Sequence, residues 1–158
     1  MDNKINIRKA VEKDLKAMDE IYLEGVVDEL KTQFPKRSKL SIIREMNQYK
    51  KQRVVDFKKD IKSKNEYWVV AEKENKILGF GSAEIKGKEG KLILLYIKKD
   101  FRRKGLGRKL TNERIKWLKK KGVKTISAGM LINNKASRNN LESIGFKPTS
   151  IRLELKIK

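Results

Sequence analysis

Apolar residues recur along this chain first at a helical period and then at a strand period. Leu15, Met18, Tyr22 and Val26 fall three and four residues apart and predict a helix over residues 12–27 with one buried stripe. Gly25 and the stretch Thr32-Gln33-Phe34-Pro35 loosen or end it. Ile43, Met46, Val54, Phe57 and Ile61 predict a second helical segment over residues 41–62, with Ser38 or Ser41 as its cap. A short strand, Ile5-Asn6-Ile7-Arg8, precedes both.

The pattern then changes. Residues 67–71, 77–85 and 92–97 are apolar runs of strand length, separated by Lys73-Glu74-Asn75-Lys76 and Gly87-Lys88-Glu89-Gly90, and they predict a three-strand meander. An amphipathic helix follows over residues 106–118, with Gly122 placed to end it. A strand over 123–132, a helix over 136–144 closed by Gly145, and one or two terminal strands over 146–158 complete the order. The predicted sequence of elements is β-α-α-β-β-β-α-β-α-β, with no repeat and no linker. It describes a single mixed α/β domain over residues 1–158. Residues 150–158 offer a strand that could pair across a dimer, so monomer and homodimer both stay open.

Composition narrows the chemistry. The 158 residues contain no cysteine and no histidine, which removes disulfides, thiol nucleophiles and imidazole acid–base chemistry. Carboxylates, Tyr, Lys, hydroxyls and backbone remain, and no metal site is expected. The net charge of +21 comes from 41 basic residues, of which only 10 are Arg. The lysines are spread over every segment, as in the ionic surface of a heat-adapted protein, so the charge alone does not assign a nucleic-acid partner. No run of 18 apolar residues and no signal-peptide core occur, and a soluble, cytoplasmic protein is expected.

The most chemically informative segment is Phe101-Arg102-Arg103-Lys104-Gly105-Leu106-Gly107-Arg108-Lys109-Leu110. It joins a strand to a helix start. Glycines bring backbone amides close to a ligand, and the helix dipole and basic side chains add positive potential. Such a turn suits a diphosphate.

The run Leu95-Tyr96-Ile97-Lys98-Lys99-Asp100-Phe101-Arg102-Arg103-Lys104-Gly105-Leu106-Gly107 resembles the acetyl-CoA signature of the GNAT superfamily, the GCN5-related N-acetyltransferases. Arg102, Gly105 and Gly107 fit its Gln/Arg-x-x-Gly-x-Gly/Ala pattern. Residues 134–146, an Asn followed eleven residues later by Gly145-Phe146, resemble the family's second block, and Ile7-Arg8-Lys9-Ala10 its opening. Three blocks in order cover essentially the whole chain, most like members that acetylate the N-termini of ribosomal proteins. The resemblance implies a mixed, mostly antiparallel sheet, split beside a bulged central strand, with helices on both faces. It implies that Leu95, Tyr96 and Ile97 carry the bulge and face the pantetheine arm of acetyl-CoA. Arg102, Arg103, Lys104, Gly105, Leu106, Gly107 and Arg108 would hold the pyrophosphate, and Asn134, with Ser137 and Asn140 nearby, the pantetheine region. Asn134 reads equally as a helix cap.

The implied reaction is transfer of an acetyl group from acetyl-CoA to a primary amine through a tetrahedral intermediate, aided by a backbone N–H, a base and an acid. Here the chain departs from its relatives. Their usual acid–base positions are Gly129, Leu141 and Lys91 in this sequence. Glu84 is the surviving base candidate, with Glu89 behind it; Tyr22, Tyr49 and Tyr96 are candidate acids. Asp28 and Glu29, in the variable segment between the early helices, could receive a cationic acceptor. A non-catalytic acyl-CoA-binding domain and a basic nucleic-acid-binding protein are the alternatives.

Overall fold

The computed structural model describes residues 4–155 and 157. Five strands form one sheet in the order β1 (Asn6–Lys9), β2 (Glu66–Lys73), β3 (Lys76–Lys86), β4 (Glu89–Ile97), β5 (Thr125–Ala128). The first four are antiparallel neighbours, and β5 runs parallel to β4. The meander is present as its alternation predicts. One face carries Trp68, Val70 and Phe80 against α1 (Leu15–Gln33) and α3 (Lys50–Asp60), where Met18, Ile21 and Phe57 complete an apolar core. The other carries Val69, Ala71 and Leu78 against Leu106 and Leu110 of α4 (Leu106–Lys120). At the far end Ala83, Leu92, Ile115 and Leu118 form a third cluster, onto which Leu141 and Ile144 of α5 (Lys135–Ile144) pack. Helices on both faces and a mixed sheet match the predicted class.

The structure differs from the sequence pattern in four places, one being the strand predicted over 123–132, which is confined to Thr125–Ala128. Residues 12–14 form a 3₁₀ turn, and α1 then runs unbroken through Gly25 to Gln33. Gly25 is a contact, not a break: a Cβ there would lie 2.1 Å from Cδ1 of Tyr96, so only glycine lets the Tyr96 ring sit against the helix. The segment predicted as one helix over 41–62 is two, α2 (Lys39–Gln48) and α3, hinged at Tyr49, with Ser38 Oγ capping α2 through Ser41 N at 3.0 Å.

No strand forms over residues 146–155 or at 157; residues 156 and 158 lie outside the described residues. The alternation of Ile151, Leu153, Leu155 and Ile157 is real, but these side chains are 75–91% exposed. Alternation specifies a face, and a strand also needs a paired edge, which this segment lacks among the described residues.

Candidate active site

The functional region is built around a defect in the sheet. Between Gly81↔Leu95 and Ala83↔Leu92, β3 contributes one residue, Ser82, while β4 contributes two, Ile93 and Leu94. This is a β-bulge, one extra residue that bends the strand and leaves main-chain groups out of the ladder. It lies at Ile93 and Leu94, just ahead of the Leu95, Tyr96 and Ile97 positions expected from the resemblance. The β4–β5 ladder ends at Leu92↔Ala128, so residues 93–97 have an unpaired edge on that side. The sheet is therefore split beside its bulged strand.

A buried cation holds the bulge. Arg114 of α4 is 2% exposed and donates through Nη1 to the carbonyls of Ser82 (3.0 Å) and Leu94 (2.8 Å). Its Nε donates to Leu110 O and its Nη2 to Thr111 Oγ1. Burial lowers its pKa to about 10, yet it stays charged at neutral pH. No carboxylate pairs with it among the described residues, so carbonyl dipoles carry the whole compensation. A Cβ on Gly81 would lie 3.0 Å from this guanidinium, which explains the glycine. The contact reaches α5 as well: Asn140 Nδ2 donates to Thr111 Oγ1 at 3.1 Å. Nothing in the spacing of Arg114 within its helix signals this role, and the sequence reading missed it.

At one end of the unpaired edge lies the basic turn. Residues 99–101 form a 3₁₀ turn and Gly105, at φ 77°, is the cap of α4. Arg103 also has a positive φ, of 58°. The amides of residues 103–108 make no hydrogen bond among the described residues, and no side chain caps the helix. Arg103, Lys104 and Arg108 are exposed around them. The result is a concave set of free N–H donors at a helix N-terminus, ringed by positive charge, which fits a diphosphate. Arg102 contributes differently from its neighbours. Its guanidinium binds Asp28 Oδ2 (2.6 Å) and the Ile97 carbonyl (2.8 Å), so it clamps the turn to α1.

Asn134 caps α5, its Oδ1 accepting from Ser137 N at 2.9 Å. Both members of that pair are therefore engaged in the helix start, and Asn140 is engaged with Thr111. Gly129 is exposed with open space around it, Lys91 is exposed on β4, and Leu141 packs in the third cluster.

At the other end of the unpaired edge, on the α1/α3 face, lies a cavity of about 480 Å³. Ser82, Ile93 and Leu94 bring the bulge into its wall, and Tyr22, Phe57 and Trp68 form an aromatic side. Asp56 and Asp60 from α3, Glu66 from β2 and Glu84 from β3 also line it. Glu66 and Glu84 are direct cross-strand partners. Burial, and then Asp60 and Glu84, push the Glu66 carboxyl above the usual range, against a hydrogen bond from Trp68 Nε1 at 2.8 Å. Burial and the neighbouring Asp56 raise Asp60 likewise. Glu84 forms an ion pair with Lys86 Nζ at 3.3 Å. Glu84 is thus in the cavity as a base would need to be, and Glu89 does not line it.

The other candidates are placed elsewhere. Asp28 is paired with Arg102, and Glu29 accepts from Tyr96 Oη at 3.2 Å; neither lines the cavity. Burial, with Glu29 and Tyr22 beside it, pushes the Tyr96 phenol well up, which makes it a weak acid. Tyr22 and Tyr49 do line the cavity. The carboxylates Asp56, Asp60 and Glu66 were not singled out from sequence, because they come from separate elements with no shared spacing.

Comparison with known proteins agrees with this geometry. A sequence profile described as the acetyltransferase (GNAT) family matches residues 23–146. No curated protein sequence matches the chain. Among solved structures, a PaiA N-acetyltransferase from Thermoplasma acidophilum in complex with coenzyme A is similar at a TM-score of 0.80 and 22% identity, over 94% of this chain and 93% of that one. A transcriptional regulator from Bacillus halodurans C-125 is similar at 0.70 and 21%, over 98% and 100%. An aminoglycoside acetyltransferase, meta-AAC0020, from an uncultured soil metagenomic sample in complex with sisomicin is similar at 0.69 and 20%, over 99% of each chain. At these identities the likeness is one of fold.

Proposed function

The chain belongs to the acetyltransferase (GNAT) family, and from that premise we propose that it moves an acetyl group from acetyl-CoA to a primary amine held in the cavity beside the bulge. The observation that carries this reading is continuity. The unpaired edge of β4 runs from the cavity wall at Ile93 to the turn after Ile97. Four residue steps at about 3.3 Å give roughly 13 Å, a span suited to an extended arm between a phosphate group and a reacting carbonyl. The amides of residues 103–108 would receive the diphosphate, with Arg103, Lys104 and Arg108 around it. Leu95, Tyr96 and Ile97 would offer main-chain groups to the arm, with Gly105, Leu106 and Gly107 shaping its start.

Each residue at the reacting end then has a task. Glu84 takes the proton from the acceptor ammonium and frees the nitrogen lone pair. The nitrogen adds to the thioester carbon, and the tetrahedral intermediate collapses to the amide as the carbon–sulfur bond breaks; the second nitrogen proton leaves to solvent and the thiolate takes one from it. Main-chain groups freed by the bulge at Ile93 and Leu94 stabilise charge on the acetyl oxygen. Arg114 keeps the carbonyls of Ser82 and Leu94 fixed, so the bulge does not slide into regular pairing. Tyr22 and Trp68 wall off water.

Calorimetric titration with CoA, followed by thiol release from acetyl-CoA across a panel of amines that includes peptide N-termini, tests the proposal. CoA binding with amine-dependent release is expected. CoA binding without release for any amine would instead favour a non-catalytic acyl-CoA-binding domain.

A further inference from the structure

The cavity has a polarity opposite to that of the molecule around it. In a chain of net charge +21, Asp56, Asp60, Glu66 and Glu84 converge on one cavity. The cations near them are few or engaged. Arg53 lines the cavity but donates to Asp19 Oδ1 (2.7 Å) and the Met46 carbonyl (3.0 Å); Lys86 takes Glu84, and Lys59 lies near Asp60 and Glu66. Among the described residues no three such groups converge closely enough to hold a metal ion. A second observation points to a ligand here. Ser82 lines the same cavity, is 1% exposed, and its Oγ has no hydrogen-bond partner among the described residues. A buried hydroxyl left unpaired is costly, and a ligand donor at the bulge would satisfy it.

Building on the function proposed above, we infer that the acceptor is a linear aliphatic diamine or polyamine. Its reacting nitrogen sits at Ser82 and Glu84, and its second ammonium is held by Asp56, Asp60 and Glu66. Between those ends the cavity offers Trp68, Phe57, Tyr22 and Leu94. These suit methylene groups, and their ring faces attract a cation. A sugar-based polyamine would bring hydroxyls that such walls cannot pair. The like-charged carboxylates repel one another when empty, and a bound ammonium relieves that repulsion through charge-assisted hydrogen bonds. The cationic surface slows the approach of such an acceptor at long range, and the cavity carboxylates attract it at short range.

Calorimetry on CoA-saturated protein tests this with 1,4-diaminobutane, n-butylamine and an aminoglycoside as probes. The diamine is expected to bind at least about tenfold more tightly than the monoamine, one further charge-assisted contact being worth that much. Asp60→Asn with Glu66→Gln should abolish the margin while leaving CoA affinity unchanged; Gln at 66 keeps an acceptor for Trp68 Nε1. Ser82→Ala, which removes only the hydroxyl, should weaken both aliphatic amines by the same few-fold factor. Equal affinity for diamine and monoamine, a margin that survives the double variant, or tighter binding of the aminoglycoside overturns the inference. In those cases thiol release from acetyl-CoA with any other amine keeps the proposed function standing, whereas failure to bind CoA at all removes that function itself.

Discussion

The basic turn and the acidic cavity are the two ends of one strand edge, and they are made from different materials. The turn works through backbone: free amides of residues 103–108, a cap at Gly105 with φ 77°, and a helix dipole, with side chains as an outer ring. The cavity works through side chains brought from α1, α3, β2, β3 and β4. A backbone site is local in sequence and tolerant of side-chain exchange. A side-chain site is assembled only by the fold and depends on each member. The difference predicts where single substitutions hurt.

The largest effect should fall on the cavity. Glu84→Gln removes the proposed base and should lower kcat by about 10²–10⁴-fold, with CoA affinity retained. An unchanged kcat would transfer the role to another carboxylate. Next comes the joint between the regions. Arg114→Met leaves the carbonyls of Ser82 and Leu94 without their donor while relieving a buried charge. A net loss of about 2 kcal/mol is expected, a fall in Tm of about 4–8 °C by thermal denaturation, with weakened amine turnover. Unaltered turnover would show that the bulge holds without it.

Smaller effects belong to the turn. Gly105→Val places a branched side chain at positive φ and should cost about 1–2 kcal/mol, weakening CoA about tenfold in a titration. Arg103→Ala or Arg108→Ala should each weaken CoA less than about fivefold, and the loss should shrink further at high salt. A large, salt-insensitive loss from either would make the cradle a side-chain site after all. The smallest difference is in pH response. Glu66 and Asp60 are raised by burial and by neighbouring carboxylates, so as pH falls they protonate before ordinary carboxylates do. Affinity for a cationic acceptor should therefore fall at a pH above the usual carboxylate range, moderated by Lys59 and Lys86. The backbone amides of the turn carry no titratable group.

This contrast also explains what the sequence made legible. Strand–glycine turn–helix is a contiguous pattern, so the turn at Gly105 and Gly107 and the meander before it could be read directly. Glu84 was readable only by elimination, once Gly129, Leu141 and Lys91 left the usual positions empty. Asp56, Asp60 and Glu66 were not readable, because α3 and β2 meet only after the chain folds. Arg114 looked like one more surface cation among 41, and its burial is decided by Gly81 across the sheet. The terminal alternation at Ile151, Leu153, Leu155 and Ile157 misled in the opposite sense: the local pattern of a strand is present and, among the described residues, the pairing is not.

The most direct test of the account is a crystal structure with acetyl-CoA bound. The account predicts the diphosphate within about 3 Å of the amides of residues 103–108, the arm along residues 93–97, and the thioester at Ile93 and Leu94 opening toward Glu84. A diphosphate bound away from that turn, or a thioester facing away from the cavity, would contradict it.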